Sequence, residues 1–422
     1  MQEEFLHYLW VNKKIPFTQL KTHLNQSLEI NHFGQYLQNA GPDIFNAQIS
    51  INQQKWAGNI EIHIKSSDWY VHNHEKDANY DNVILHVVWE NDSPIYRKDN
   101  SEIPTLELKN YVSLADINKY QSLIASKSWI NCENHIAETD NFVWNNWLES
   151  LFLNRLERKS EIIDKRLQET NNNWEAVFFE MLAKNFGLNT NGDCFLQLAQ
   201  SIPYAIIRKE SFNTEALEAL FFGKLNLLRD DLEDEYYFKL KNNWDFLQLK
   251  YNIKEEFGLQ PQFFKLRPDN FPTIRLSQLI QLISSKQNLF SQILLADSYS
   301  DIKKMLQSET SEYWKSHYSF SKKSKAKNKV LTSEFIDLLI INTVMPIKFS
   351  YVKSQGKLNI EALISLLEAM PSEKNSIMDK FSEFNVKATN AFQSQSLLEL
   401  KNEYCNKNKC LKCAVALQLL KN

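Results

Sequence analysis

The chain has 422 residues, 43% of them hydrophobic and 12% aromatic, with a formal net charge of −3. That length calls for two or three domains, the near-neutral charge excludes no partner class, and five cysteines, an odd number in so long a chain, argue against a disulfide framework. The apolar runs, such as Phe335 to Val344, are short and interrupted by Asp337 and Asn342, and the first ten residues, MQEEFLHYLW, place acids where a secretory signal needs bases, so no membrane span and a cytoplasmic address are expected.

After an initial helix, strand-like segments bounded by Gly, Pro, Asn or Asp run over 28–36, 44–51, 56–64, 83–89 and 105–108. The intervening 70–82 stretch lacks Gly and Pro and predicts a crossover helix, which a parallel strand pair requires. From about Asn141 the apolar spacing becomes helical, as in Trp144, Trp147, Leu148, Leu151 and Phe152, and stays so to the end. The expected fold is therefore an α/β domain over 1–115, with a mixed sheet flanked by helices, and a linker over 116–140. A large all-α region over 141–400 follows, divisible into two lobes, and then a cysteine-bearing segment, 401–422, that packs back on the linker.

Chemistry concentrates in the first of these. Asp43 follows a Gly-Pro turn, and Glu61, His63 and Lys65 alternate with Ile60, Ile62 and Ile64, so a period of two sets the three polar groups on one face of one strand. Two carboxylates from neighbouring strands outline a site for Mg²⁺ or Mn²⁺. Cross-strand ion pairing on a solvated edge would produce the same pattern.

A helix, a meander carrying Pro42-Asp43, then Glu61-Ile62-His63, then a helix and a further strand resembles the PD-(D/E)XK nuclease superfamily over the first quarter of the chain. The resemblance implies a restriction-endonuclease-like fold in which Asp43 and Glu61 hold the ion and the Ile62 carbonyl completes its shell. It implies hydrolysis of phosphodiester bonds in DNA or RNA. Where that family has its lysine this chain has His63, able to act as base or ligand but without a standing charge, and Lys65, about 6.6 Å further along the strand, could supply that charge. A catalytically impaired module that grips nucleic acid or a protein partner is the alternative.

His72, His74 and His86 lie near His63 in sequence and could complete a zinc site, which leaves open a histidine-zinc hydrolase of a small substrate. His72, His74 and His86 otherwise serve as supporting or phosphate-contact groups. Tyr80 stands where recombination-type members of the resembled superfamily place a tyrosine, and is otherwise a core aromatic.

Near the end, Cys405, Cys410 and Cys413 give the spacing C-x4-C-x2-C, which with Cys132 as a distant fourth ligand suits an iron–sulfur cluster or zinc; His135 is an alternative ligand for zinc. For nucleic-acid contact the chain offers Arg267 and Arg275 around a Pro-limited helix start, and a flexible basic loop with Lys322, Lys323 and Lys325. The series Arg155, Arg158, Lys159, Lys165 and Arg166 is interspersed with acids and reads as a solvated helix face. The run from GPDIFNAQ through RPDNFPTIRLSQL to the cysteine tail also looks like a bacterial family of unknown function that extends over nearly the whole chain.

Overall fold

The computed structural model describes residues 3–36, 41–124, 128–230, 232–254, 260–357 and 359–421, with 119 and 122–124 as backbone only. Part of the expected linker, 125–127, therefore lies outside the described residues. Two compact units are formed, one from 1–147 with 383–386 and 400–422, the other from 148–382 with 387–399. The first extends past the expected boundary at 115, because helix α3 (Leu114–Ile124) and the tail share its core through Tyr120, Leu411, Leu417 and Leu420.

This unit is a mixed sheet. Helix α1 (Glu3–Val11) buries Phe5, Leu6, Leu9 and Trp10 and keeps Glu3 and Glu4 in its first turn, where the helix dipole favours acids. The strands are β1 (Leu20–Lys21), β2 (Ser27–His32), β3 (Gln35–Tyr36), β4 (Ile44–Ile51), β5 (Gln54–Lys65), β6 (Val83–Glu90) and β7 (Thr105–Glu107). They lie in the order β1-β2-β4-β5-β6-β7, with β3 beside β4. Asn52 and Gln53, both at positive φ, make the two-residue turn of the β4–β5 hairpin, the geometry that matches strand twist. Strands β5, β6 and β7 are mutually parallel, and β6 is buried along six consecutive residues, as a strand covered on both faces should be.

The crossover between β5 and β6 is not the long helix expected over 70–82. It is one turn, α2 (Asp68–Val71), followed by 3-10 turns at His74–Lys76 and Ala78–Tyr80. Asn73 adopts a left-handed φ of 59° and stops α2, and Asp77 is extended and caps the next turn through its side chain.

The second unit is helical, apart from the small hairpin β8 (His317–Ser319) and β9 (Lys322–Lys323). It begins within α4 (Asn141–Glu169). The arginines of α4 are paired with acids: Arg158 binds buried Glu399 at 2.6 Å, Arg155 lies 3.9 Å from the same carboxylate, and Arg166 pairs with Glu180 at 2.7 Å and with Glu169. Lys159 donates to Asn342 Oδ1 at 2.7 Å, and burial, with Arg155 and Arg158 nearby, lowers its pKa to about 7. A folded lysine that binds its proton less tightly than the unfolded one gains relative stability as pH rises from about 7 toward the ordinary 10.5. Lys159→Met should therefore stabilise the chain more near pH 6 than near pH 9, read as the difference in denaturant midpoints from wild type.

One helix contradicts the reading that no segment is long enough for a membrane. Ser333–Ser354 is continuous over 22 residues and apolar enough to span by length and composition, and 72% of its most apolar window is buried inside the protein. A π-turn at Ile340–Val344 carries the helix into Pro346. The carbonyl of Asn342, which a proline four residues on cannot bond, accepts instead from Asn185 Nδ2 at 3.2 Å. Further along, the buried Lys348 ammonium donates to the carbonyls of Ile293, Leu294 and Ala296 at 3.0, 3.0 and 2.7 Å, closing the end of helix Leu289–Leu295. Lys348→Met removes these three hydrogen bonds, the Ile293 carbonyl keeping only the Ala296 N–H at 3.3 Å, and should cost about 2–4 kcal/mol, visible as a lowered denaturant midpoint.

Candidate functional site

Glu61 and His63 point from β5 to the same face, as the alternation requires, and both are buried, with exposures of 5% and 1%. Register places His86 of β6 beside Glu61, and His86 Nε2 lies 2.8 Å from His63 Nδ1. The left-handed turn at Asn73 brings back the two histidines that flank it: His72 Nδ1 is 3.1 Å from His63 Nε2, and the His74 ring stacks parallel to that of His63 at 5.3 Å. His74 Nε2 and His63 Nε2 each lie 3.4 Å from Glu61 Oε1. Possible ligand atoms of His63, His72 and His74 fall within 4.8 Å of one another.

These spacings are informative. An ion about 2.1 Å from each of four tetrahedral ligands sets neighbouring donor atoms about 3.4 Å apart. Burial, compounded by the neighbouring imidazoles, holds His63 to a pKa of about 2, and burial lowers His86 to about 3, so both present neutral rings with lone pairs. Beyond its contact with Glu61 Oε1, the buried Nε2 of His74 has no hydrogen-bond partner. Burial pushes the Glu61 carboxyl upward, against the lowering contact with His74. Tyr80 stacks on His74 at 3.8 Å, with Trp69 against both rings. Burial, then Glu61 and Asp43, raise the Tyr80 pKa and keep its proton in place. His72 alone of the trio is exposed and marks the open side.

Asp43 adjoins Glu61, and one oxygen of each carboxylate is taken by a main-chain N–H. The Asp43 backbone N–H donates to Glu61 Oε2 at 3.1 Å, while Asp43 Oδ2 accepts the Ile62 N–H at 3.0 Å and faces His7 Nε2 at 3.3 Å. Ile62 thus meets Asp43 through its N–H. His7, on α1, was not singled out by the sequence reading. Its only sequence signal is an imidazole one helical turn after Glu3 on an otherwise apolar helix. Burial opposes its charge, yet Asp43 outweighs that and raises its pKa. Tyr36 OH lies 3.2 Å from its other ring nitrogen.

Lys65 is not drawn into this cluster. It is exposed at the end of β5, where its backbone N–H donates to Asp68. Arg275 also departs from expectation, being 7% exposed, bonded to Gln278 and Asn270, and stacked at 3.7 Å over Phe335. A guanidinium so enclosed is a packing element and presents no charge to a phosphate. Arg267, Lys322, Lys323 and Lys325 are exposed. Their segment is not a free loop: β8 and β9 pair, Lys327 binds Asp269 at 3.0 Å, and buried Lys329 donates to the carbonyls of Trp314, Lys315 and His317.

The four cysteines singled out from the sequence line one narrow pocket of about 20 Å³ in the first unit. His135 faces away, more than 60% exposed and paired with Glu138. A cavity of about 570 Å³ lies in the helical unit among Phe179, Tyr204, Arg208, Lys286 and Phe290, and no periodicity or motif in the sequence marked it.

A protein-family model described as "Protein of unknown function (DUF2851)" matches residues 3–376. No curated protein and no solved structure matches the chain.

Proposed function

We propose that this chain, which belongs to the DUF2851 family of proteins of unknown function, is a metal-dependent hydrolase of phosphodiester bonds in DNA or RNA, its divalent ion held by Glu61, His63, His72 and His74. The observation that carries this is the meeting of one carboxylate and imidazole nitrogens from two separate elements at 3.1–3.4 Å. Three imidazoles with one carboxylate favour Mn²⁺ or Zn²⁺ over Mg²⁺, which prefers oxygen donors. Such an ion polarises a phosphoryl oxygen and makes water a competent nucleophile near neutral pH.

Within this reading Asp43 holds the main chain at Ile62 and so aims Glu61, His86 orients His63 through its Nδ1, and Tyr80 fixes the His74 ring. The phosphodiester substrate rests on the order of α1, antiparallel β2, β4 and β5, the short crossover, and parallel β6. That order, with Pro42-Asp43 and Glu61-Ile62, is similar to the nuclease superfamily and its restriction-endonuclease-like fold. Exposed Arg267, Lys322, Lys323 and Lys325 are the proposed phosphate contacts, and a cytoplasmic location accords with that substrate.

The histidine trio favours a second reading, a zinc hydrolase of a small substrate. Single- and double-stranded DNA and RNA, together with a small phosphodiester and a carboxylic ester, should each be incubated with purified protein and Mn²⁺, Zn²⁺ or Mg²⁺. Nucleic-acid cleavage with Mn²⁺ or Zn²⁺, stopped by a chelator, is expected. Turnover of the small esters alone would select the second reading, and no turnover of any substrate would remove both.

A further inference from the structure

The pocket at the C-terminal tail brings four cysteines together with apolar side chains such as Ile136, Leu400 and Val415. Cys132 comes from the segment before α4, and Cys405, Cys410 and Cys413 come from the end of a π-turn, a 3-10 turn and the residue after it. None of the four is in a disulfide. Side-chain and main-chain donors surround them: Asn131 Nδ2 donates to Cys410 Sγ at 3.4 Å, and the backbone N–H groups of Val415 and Ala416 face the Cys413 sulfur. The buried Trp147 indole N–H lies beside the Cys413 sulfur and has no other hydrogen-bond partner. N–H groups aimed at sulfur are what thiolate ligands of a metal require.

We infer that Cys132, Cys405, Cys410 and Cys413 form an all-thiolate site for a thiophilic metal centre, zinc or an iron–sulfur cluster, that fastens the tail to the segment preceding α4. Since His135 points to solvent, the donor set is sulfur alone, which rejects Mg²⁺, Ca²⁺ and Mn²⁺. Among the described residues no three of these sulfurs reach the 4.8 Å grouping found for the histidines. A single zinc, at about 2.3 Å from each sulfur, would draw them inward, whereas an iron–sulfur cluster spans a wider set. Either centre closes a loop of more than 250 residues and holds Leu411, Leu417 and Leu420 in the core of the first unit. The site is independent of the hydrolase reading and stands or falls by its own measurement.

The full-length chain, purified anaerobically, should be assayed for zinc, iron and acid-labile sulfide and for visible absorption. About one zinc per chain, or iron with matching sulfide and a brown chromophore, is expected, the two results distinguishing the occupants. That metal should be lost in Cys132→Ser and in the double variant Cys405→Ser with Cys410→Ser. It should be retained in Cys194→Ser and in the double variant His72→Ala with His74→Ala. Where a cysteine variant does not fold, wild-type chain stripped by a chelator is compared with untreated chain by limited proteolysis, and faster cleavage within 400–422 is expected. Wild-type protein that holds neither zinc nor iron after loading with Zn²⁺ or with Fe²⁺ and sulfide overturns the site. So does zinc or iron that survives in the cysteine variants when His72→Ala and His74→Ala are added to them, or a tail whose proteolysis ignores the chelator.

Discussion

Glu61→Gln and His63→Ala should each lower metal-dependent hydrolysis on the order of 10³-fold, about 4 kcal/mol of lost transition-state stabilisation, with little change in thermal midpoint for Glu61→Gln. The glutamine still offers an oxygen to the Asp43 N–H, now received by Glu61 Oε2 at 3.1 Å, so the main-chain link between β4 and β5 survives while the charge is removed. His63 lies between Glu61, His72 and His86, and its removal leaves the other donors without a common centre. Lys65→Ala should be near wild type, because the residue is exposed and belongs to none of these contacts. The discriminating measurement is initial rate against Mn²⁺ concentration for the three variants. Full activity in Glu61→Gln would end the metal assignment, and a large loss in Lys65→Ala would restore the lysine to the mechanism the superfamily likeness implies.

Gly58→Ala should destabilise the first unit by about 2–3 kcal/mol and also impair the site in the molecules that remain folded. A Cβ at this position would stand 2.5 Å from Ile84 Cγ2 and 2.6 Å from the Asn82 carbonyl oxygen. The side-chain methyl can turn, but the carbonyl already accepts the Asn59 N–H at 2.9 Å and fixes the entry to β6. Relief therefore requires β5 to move against β6, and Glu61 and His63 lie three and five residues further along that strand. Ligands displaced by even a fraction of an ångström lose much of their shared affinity for an ion. The expected signature is a weaker apparent metal affinity at a temperature where circular dichroism reports folded protein. Wild-type metal affinity in folded Gly58→Ala would show that the strand tolerates the methyl group without passing the strain to the site.

Much of this molecule could be read one residue at a time. The period of two in Glu61-Ile62-His63 fixed the shared face, the segment over 83–89 marked a strand, and the change to helical spacing near Asn141 divided sheet from helices. What failed was local in a different way. The 70–82 segment has helix-compatible composition, but a left-handed Asn73 and an extended Asp77 break it into turns. Those breaks are what return His72 and His74 to the strand. The helix through Pro346 is longer than the short apolar runs suggested, because a side-chain amide from another helix replaces the missing bond.

By itself, then, the order of residues determined the periodicities, the elements they form and the cysteine spacing of the tail, because these depend on neighbours within a few positions. Only the tertiary structure decided that His7 faces Asp43, that Arg275 is enclosed over Phe335, that Lys65 stays outside, and that Cys132 meets sulfurs more than 270 residues away. The reason is that a side chain's direction is set by its own backbone, whereas its partner and its access to water are set by which distant segment packs against it.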